Sequence, residues 1–536
     1  MKVDCIYRYL RVKSMGAYFN YGEDYLTAGL ALEIARGQRK GIIGRKAAEK
    51  IENGHGTVRE IVESGSVVYG VNTGFGKLCS TRIAPEDTAV LQYNILRSHS
   101  AGVGSPVPAE IAKLMMILKV HALAKGFSGV ARTTLDRIIW HIDSGVIPVV
   151  PNQGSVGASG DLAPLAHLFL PLIGLGRVNV NGEELNSAEV LSRHGMAPLT
   201  LGPKEGLALI NGTQFIAAYG VRALERFSNC LDTADIIGAM TIEALLGSVK
   251  PFDAELHKLR PYQGTSYVAH RLRTLLANSE ILQSHTDCGR VQDPYSLRCI
   301  PQVHGASRNA YLHLKEMLHV ELNSVTDNPI IFSADNVISG GNFHGQPMAI
   351  PLDYAAIAVS ELGNISDRRT YLLLEGAEGL PKLLMHNTGI NSGFMIPQYT
   401  SAALATENKT LCFPASADSI PTSLGQEDHV SMGSISGRKL NRVIDNTENI
   451  LAVELLCAAQ AFDFRAPLKS GTVLEACHDA IRDRIDHADE DRIFGDDLVT
   501  ARKLIQEKRM VEASVRMALD KDIDLGGGLE DQYGIY

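Results

Sequence analysis

This 536-residue chain lacks closely spaced pairs of cysteines, which bears on the kinds of metal and redox site it can form. Its eight cysteines are scattered, and no two form a C-x-x-C pair. A zinc ribbon or a dithiol redox motif is therefore not expected. Unpaired thiols fit a reducing compartment, so we predict a cytoplasmic protein. The cysteines are Cys5, Cys79, Cys230, Cys288, Cys299, Cys412, Cys457 and Cys477.

Long apolar runs and basic stretches are also absent. No run of about 18 uninterrupted apolar residues exists, so no membrane-spanning helix is expected. The first residues, 1–14, lack the apolar core of a signal peptide. The net charge is −9 and no basic stripe is present, which argues against nucleic-acid and membrane-surface partners.

What the chain does contain is helical patterning on an ordinary globular composition, 45% hydrophobic and 21% charged. Apolar residues from Ile111 to Ala122 recur at helical spacing, and Gly126 follows as a stop. The run 450–461 is apolar on nearly every side, so it must be wrapped inside a bundle or at a subunit interface. We predict a mainly α fold with a long central helical bundle.

Strand signals are few. Residues 177–180 lead into Asn181-Gly182, which is a two-residue hairpin turn, and residues 330–332 and 337–338 flank a second turn at Asp335-Asn336. Glycine-rich loops concentrate before Thr200 and long helices follow it. We therefore predict an N-terminal extension at 1–24, a smaller loop-rich domain at 25–200, and a helical bundle with C-terminal helices at 201–536.

The most unusual segment is 154–162 (GSVGASGDL), which fits neither a Walker loop nor a Rossmann motif. One interpretation is a helix N-terminus capped by Ser159 or Asp161. The other is chemical. Gly160 supplies an unhindered amide nitrogen and Ala158 an accessible carbonyl, while Ser159 between them can lose water. Cyclisation with dehydration would give a five-membered ring that carries an exocyclic methylidene.

The segment 157–165 (GASGDLAPL) closely resembles the signature of the aromatic amino acid ammonia-lyases, which carry the 4-methylidene-imidazole-5-one (MIO) group. The resemblance extends from about Tyr25 to the C-terminal helices. Four more segments resemble the family's lid loop, active-site asparagine, carboxylate-binding and pocket motifs, in that order: 69–76 (YGVNTGFG), 205–213 (EGLALINGT), 295–298 (YSLR) and 341–345 (GNFHG).

This resemblance implies a fold of the fumarase/aspartase-like superfamily, with the loop-rich N-terminal domain carrying the prosthetic group. The MIO group would form from Ala158, Ser159 and Gly160, and no external cofactor would be needed. Sites in the family draw residues from three subunits of a homotetramer. The partners implied are a small amino acid substrate and further copies of the chain.

Roles for individual residues follow from the same resemblance. An electrophilic methylidene would turn the substrate amine into a better leaving group, and Tyr69 would take the β-proton as base. Arg298 would bind the carboxylate through two parallel hydrogen bonds, and Tyr295 would orient the substrate or the base. Asn211 would bond the MIO oxygen or the amine. Phe343 would pack on the substrate ring.

Two segments bear on the substrate. His99, in residues 97–104 (RSHSAGVG), resembles the histidine and tyrosine branches, and Glu427, in 426–432 (QEDHVSM), resembles the histidine branch. An anionic carboxylate suits the N–H donors of an imidazole, whereas a phenyl ring would leave it desolvated without a partner. The structural alternative is that Glu427 caps a helix or pairs with an arginine such as Arg438.

The expected reaction is elimination of ammonia from L-histidine to trans-urocanate, the first step of histidine degradation. Gln346 is a further candidate in the substrate pocket, and its context, His344-Gly345-Gln346-Pro347, is closer to the aromatic branch. A tyrosine ammonia-lyase or an aromatic aminomutase with the same chemistry is the alternative. No H-x-x-x-H pair or carboxylate–histidine spacing predicts a metal site.

Overall fold

The structure is a computed structural model, and it describes residues 18–64, 68–70, 73, 83–84, 87–286, 289–533 and 536. Cys5, Cys79, Cys288, the stretch 1–14 and most of the predicted lid loop (71–72 and 74–76) lie outside these residues. The predicted mainly α fold is confirmed. Among the residues described, no helix is long and apolar enough to cross a membrane.

The part before residue 200 combines short helices with small sheets. Its helices are α1 (Ala28–Ala35), α2 (Arg45–Ser64), α3 (Thr88–His99), α4 (Ala109–Leu123), α5 (Arg132–Ser144), α6 (Leu162–Phe169) and α7 (Ser187–Arg193). Its strands are β1 (Phe19–Asn20), β2 (Gly41–Ile42), β3 (Val103–Pro106), β4 (Ile147–Pro148), β5 (Pro151–Gln153), β6 (Arg177–Val180) and β7 (Glu183–Asn186).

The rest is helical apart from one hairpin, β8 (Ile330–Ser333) and β9 (Asn336–Ile338). The helices up to the centre of the bundle are α8 (Glu205–Ile210), α9 (Gln214–Ala244), α10 (Ala254–Lys258), α11 (Gln263–Leu275), α12 (Glu280–Gln283), α13 (Tyr295–Arg298), α14 (Ile300–Leu322) and α15 (Gln346–Leu374). They are followed by α16 (Met395–Leu411), α17 (Gly433–Asp463), α18 (Thr472–Arg482), α19 (Phe494–Gln506), α20 (Arg509–Asp520) and α21 (Glu530–Tyr533).

Four long helices, α9, α14, α15 and α17, pack against one another as the central bundle. Every residue of α17 from Ile450 to Phe462 is buried within its own chain. The bundle alternative for the apolar run 450–461 is therefore the correct one, and this run needs no subunit interface. The predicted helix at 111–122 is also confirmed, as α4.

The hairpin predictions hold with one shift in position. Asn181 and Gly182 connect β6 to β7 with φ values of 53° and 92°, which is the left-handed pair that a type I′ turn requires. In the second hairpin Asn336 already belongs to β9, so the turn lies one residue earlier than predicted. One hydrophobic cluster includes residues from Phe19 to Tyr533. The division of the chain at residue 200 stays a prediction.

A buried ion pair joins three of the bundle helices. Arg369 of α15 forms two hydrogen bonds with Glu454 of α17, from Nε to Oε1 at 2.5 Å and from Nη2 to Oε2 at 2.8 Å. Thr241 of α9 donates to the same Oε1 at 2.9 Å. Both charged side chains are fully buried. Two parallel hydrogen bonds from the arginine offset the cost of removing the carboxylate from water. Without the arginine that cost would no longer be offset.

We expect Arg369→Ala to lower the free energy of unfolding by about 3–5 kcal/mol, because it leaves Glu454 charged and buried with a single hydroxyl donor. Denaturant unfolding followed by circular dichroism measures this loss. The control is Arg442→Ala on α17, whose partner is Glu407 and whose side chain is 64% exposed. It should cost about 0–1 kcal/mol. Equal losses in both variants would contradict a stabilising role for the buried pair.

Candidate active site

The Ala158-Ser159-Gly160 segment is a tight turn that follows one positive-φ glycine, Gly157, and ends on another, Gly160. Gly157 and Gly160 have φ values of 66° and 74°, and Ala158 and Gly160 face each other as an isolated β-bridge across Ser159. Ala158 and Gly160 are buried while Ser159 is half-buried. The turn thus brings together the two residues whose carbonyl and nitrogen would have to join in the predicted ring.

Gly160 is held against the backbone of Gly212. The two form a parallel bridge, and the amide nitrogen of Asp161 donates to the Gly212 carbonyl at 2.8 Å. A Cβ added at Gly160 would lie 2.1 Å from that carbonyl oxygen. No other residue type fits there, so the glycine is required by close approach as well as by its φ value.

Asp161 anchors the turn to the bundle and does not cap its own helix. It occupies the N-cap position of α6 without a side-chain capping bond. Its Oδ2 instead accepts from the amides of Phe215 and Ile216 in the first turn of α9, at 3.1 and 3.0 Å. Burial raises the pKa of Asp161 to about 7, against the lowering effect of these amides and of Ser155. The capping interpretation is therefore wrong for Asp161.

Asn211 follows α8 and precedes Gly212, so it lies directly beside the turn. Its side chain is 3% exposed, and its Oδ1 is buried with no hydrogen-bond partner among the described residues. A buried amide oxygen left unsatisfied is costly. The atom is therefore a candidate to bind a group formed at, or brought to, the Ala158–Gly160 turn.

Sequence reasoning missed Lys119, which lies beneath Asn211. This lysine is fully buried in α4 and its ammonium donates to the Asn211 carbonyl oxygen. Burial lowers the pKa of Lys119 to about 7, with the negative charges of Asp327 and Asp161 acting in the opposite direction. A lysine inside the otherwise apolar stretch 114–120 is the signal that could have identified it.

The opposite wall of the turn is the loop before α17. Ser431 donates to the Gly157 carbonyl at 3.0 Å, and Met432 donates through its amide to the Val156 carbonyl at 2.9 Å. These two bonds hold residues 156–157, whereas the contacts with Gly212 hold residues 160–161. The turn is thus clamped between two segments that are distant in sequence.

Glu427 belongs to this second wall and contacts Ser159 directly. Its Oε1 accepts from the Ser159 hydroxyl at 3.0 Å, and its Oε2 accepts from Thr422 at 2.8 Å. Arg438 turns elsewhere and donates to the Ser434 carbonyl at 3.3 Å. The structural alternative, a Glu427–Arg438 pair, is therefore wrong.

His99 ends α3 and lies within electrostatic reach of Glu427. It is half-buried, and its Nδ1 is 3.0 Å from the hydroxyl of Ser98. Burial lowers the pKa of His99, while the Ile95 carbonyl and the charge of Glu427 raise it by less. A neutral imidazole at neutral pH follows, which can donate from one nitrogen and accept at the other.

The predicted pocket segment is tied to the same wall. A Cβ on Gly345 would lie 2.6 Å from the Ser431 hydroxyl, so the segment lies against the residue that clamps Gly157. Gln346 donates to the Ser416 carbonyl at 3.5 Å, and its own Oε1 is buried and without a partner in the described part of the chain. Phe343 is half-buried just before it.

Tyr69 lies half-buried against the main core. The next residue, Gly70, has a φ of 71°, and a Cβ there would lie 2.3 Å from Leu207 Cδ2. The Leu207 carbonyl accepts from the Asn211 amide at 3.0 Å. The backbone next to Tyr69 therefore packs one helical turn from Asn211.

Tyr295 and Arg298 are close to each other on α13. The Arg298 guanidinium lies 4.5 Å from the centroid of the Tyr295 ring. It donates from Nε to the Asp293 carbonyl and from Nη2 to Gln292 Oε1, both at 3.0 Å. Gln292 therefore orients the guanidinium, and sequence reasoning missed it. Tyr295 is 71% exposed.

One chain does not bring α13 to the Ala158–Gly160 turn. Asp293 accepts from the amide of Ser248, which lies just past the C-terminal end of α9, whereas Asp161 is bonded to the N-terminal end of that helix. A 31-residue helix is about 46 Å long. Arg298 and Ser159 therefore lie at opposite ends of the bundle in the same chain.

Comparison with known proteins places this geometry in a family. A family model described as aromatic amino acid lyase matches residues 26–483. The histidine ammonia-lyase of Natranaerobius thermophilus is 47% identical over 472 residues, which cover 88% of this chain and 93% of that protein. That of Sorangium cellulosum is 49% identical over 492 residues, or 90% and 96% of the two chains.

Solved structures agree. The histidine ammonia-lyase of Trypanosoma cruzi superposes with a TM-score of 0.86 at 40% identity, covering 93% of this chain and 95% of that one. A tyrosine aminomutase of Streptomyces globisporus gives 0.89 at 34% identity, covering 95% and 100%.

The close approach at Gly160 can be tested by Gly160→Ala, which adds both positive-φ strain and a collision with Gly212. We expect the free energy of unfolding to fall by about 1–3 kcal/mol more than in the control. The control is Gly145→Ala, because Gly145 has a φ of 71° but open space where its Cβ would lie. Denaturant unfolding compares the two. Equal losses would mean that φ alone, and not the packing against Gly212, requires the glycine.

Proposed function

Because the chain belongs to the aromatic amino acid lyase family, we propose that it eliminates ammonia from L-histidine, giving trans-urocanate and ammonium as the first step of histidine degradation. The enzyme is a carbon–nitrogen lyase. The observation that carries the choice of histidine is the carboxylate of Glu427, which is bonded to Ser159 and lies near His99. The names of the relatives support the same choice.

The residues around the turn fit an MIO group formed from Ala158, Ser159 and Gly160. The turn already pairs Ala158 with Gly160, and Asn211, next to Gly212, has a buried side-chain oxygen that no described residue hydrogen-bonds. Formation removes two water molecules, one from the Ala158 carbonyl oxygen with two amide hydrogens and one from the Cα–H and hydroxyl of Ser159. The group would supply an electrophile that makes the substrate amine a better leaving group.

Glu427 and His99 recognise the ring in this proposal. An imidazole N–H can donate to the carboxylate, and the charge of Glu427 favours a ring that can become cationic. A phenyl ring offers no donor and would leave the carboxylate desolvated. Gln346, with its unpartnered amide oxygen, and the ring of Phe343 would complete the substrate pocket.

Tyr69 is the proposed base for the β-proton. Its position follows from Gly70, whose missing side chain lets the loop pack on Leu207 near Asn211. Asn211 would bond the substrate amine or the MIO oxygen, and Lys119 holds the backbone of Asn211 in place. Tyr69 and Asn211 would therefore act from the side of the turn on which α8 lies.

The carboxylate clamp must come from another copy of the chain. Arg298, oriented by Gln292 and close to the Tyr295 ring, is fastened beyond the far end of α9, a helix about 46 Å long. An antiparallel partner bundle would bring its α13 to this turn, and repeated pairing of this kind gives a homotetramer with shared sites. The cytoplasm, with its reducing conditions, is the proposed location.

An exposed apolar stripe on α15 supports this assembly. Ile350, Tyr354 and Ile357 recur at helical spacing and are 54%, 47% and 44% exposed. A contiguous apolar helix face left open to water marks an interface. The stripe begins one turn after Gln346, so an interface there would lie against the substrate pocket.

Intact mass and turnover test the proposed chemistry together. We expect the purified protein to be lighter than its sequence by two water molecules, and to convert L-histidine to a conjugated acid that absorbs in the near ultraviolet. Ser159→Ala should restore the plain sequence mass and abolish turnover. A wild-type mass equal to the sequence would refute the prosthetic group.

The choice of substrate needs its own comparison. L-histidine and L-tyrosine are offered separately, and products are resolved by chromatography. Faster turnover of tyrosine, or a β-amino acid product, would favour the tyrosine lyase or aminomutase instead. Glu427→Gln should lower kcat/KM for histidine more than for tyrosine.

Mixed oligomers test the shared site. Ser159→Ala chains and Arg298→Ala chains should each be inactive alone. When the two are co-expressed, roughly one quarter of the sites should be active, because random assembly sometimes places an intact Ser159 opposite an intact Arg298. Activity per mole of co-purified protein measures this. The control mixes two chains that carry both substitutions. No recovery would mean that each chain supplies its own arginine.

A further inference from the structure

Among the described residues, the carboxylate of Glu427 accepts from two hydroxyl groups and forms no ion pair with a cation. Ser159 donates to Oε1 at 3.0 Å and Thr422 donates to Oε2 at 2.8 Å. None of the ion pairs among the described residues includes Glu427. A carboxylate without a guanidinium or ammonium partner depends on such hydrogen bonds for its direction.

Thr422 is itself held rigidly against Glu427. Its amide donates to the Glu427 carbonyl at 2.9 Å, and the Glu427 amide returns a bond at 3.4 Å. The two residues form an isolated antiparallel bridge, so their side chains stand next to each other on one side of it. The loop between them turns through Leu424 and Gly425, whose φ values are 55° and 81°.

Formation of the prosthetic group changes this arrangement on one side only. The Ser159 hydroxyl leaves as water together with the Cα hydrogen, so Oε1 loses its donor. The Thr422 hydroxyl takes no part in that loss and stays on Oε2. Before the group forms, the Ser159 hydroxyl therefore occupies Oε1 of Glu427. After it forms, the same oxygen would be open to a ligand.

We propose that Thr422 is the positioning residue for the substrate ring: it holds Glu427 by Oε2, so that loss of the Ser159 hydroxyl exposes Oε1 as the acceptor for the imidazole N–H. This inference rests on the proposed histidine elimination. Without the Thr422 donor the carboxylate can rotate about its terminal torsion, which is broad in glutamate. Recognition of an imidazole then weakens, whereas binding of a ring without an N–H does not.

Three variants separate positioning from a structural role. Thr422→Val removes the donor at nearly constant shape, and Thr422→Ser keeps it. The matched control is Thr410→Val on α16, an exposed threonine whose hydroxyl bonds only the helix carbonyl of Glu407. Each is measured for intact mass, thermal midpoint, and kcat and KM for L-histidine. Binding of 3-(imidazol-4-yl)propionate and 3-phenylpropionate is measured by calorimetry.

We expect the Thr422→Val protein to form the prosthetic group, with an intact mass lower by two water molecules, and to have the thermal midpoint of the wild type. Its kcat/KM for histidine should fall about 10- to 100-fold, which is the range for a hydrogen bond to a charged group. Affinity for the imidazole acid should fall with it, while affinity for the phenyl acid stays within about twofold. Thr422→Ser should recover most of the loss, and Thr410→Val should be unchanged.

Other results overturn the proposal. Positioning would be contradicted if Thr422→Val kept the wild-type kcat/KM, or if Thr422→Val and Thr422→Ser lost kcat/KM equally. It would also be contradicted if Thr422→Val lost equal affinity for the imidazole acid and the phenyl acid. If Thr422→Val kept the unprocessed mass, Thr422 would act in maturation instead. Thr422→Ala serves in the same way if the valine variant does not fold. A wild-type protein that did not turn over histidine would refute the proposed function itself, since all variants would then share the defect.

Discussion

The backbone contact between Gly160 and Gly212 is the constraint on which the site depends. It joins the Ala158–Gly160 turn to the point where α8 ends and α9 begins, and it is possible because Gly160 has no Cβ to collide with the Gly212 carbonyl. The carboxylate of Asp161 extends the same link to the first amides of α9. The turn is thereby fixed to α9, one of the two 31-residue helices of the bundle.

Burial of polar groups around that contact has a chemical consequence. Lys119 and Asp161 are both enclosed, and burial moves the pKa of each toward neutrality from opposite directions, to about 7. Asn211 accepts from Lys119 through its carbonyl, and its buried side-chain oxygen has no hydrogen-bond partner among the described residues. Groups that are expensive to bury and incompletely satisfied are usually retained for function, and here they all border one turn.

The length of α9 determines how the functional groups are distributed. Its N-terminal end carries the turn and Asp161, and the segment with Arg298 is fastened beyond its C-terminal end. A straight helix cannot shorten this distance, so the two halves of the proposed site stay apart within one chain, which is why the proposed function requires a second copy. The stretch 450–462 of α17 is buried inside one chain, while the apolar stripe on α15 is exposed and is the surface proposed for assembly.

The sequence by itself determined the mainly α fold, the helix at 111–122 and the turn at Asn181-Gly182, and it identified Ala158-Ser159-Gly160 as the candidate tripeptide, because periodicity and glycine requirements are local properties. It also singled out Glu427, Asn211 and Arg298. Only the tertiary structure decided that Glu427 contacts Ser159 and not Arg438, that Asp161 binds a distant helix, and that Lys119, Gln292 and Thr422 support the site. Those contacts join residues far apart in the chain or depend on side-chain direction, and neither property is encoded in local spacing.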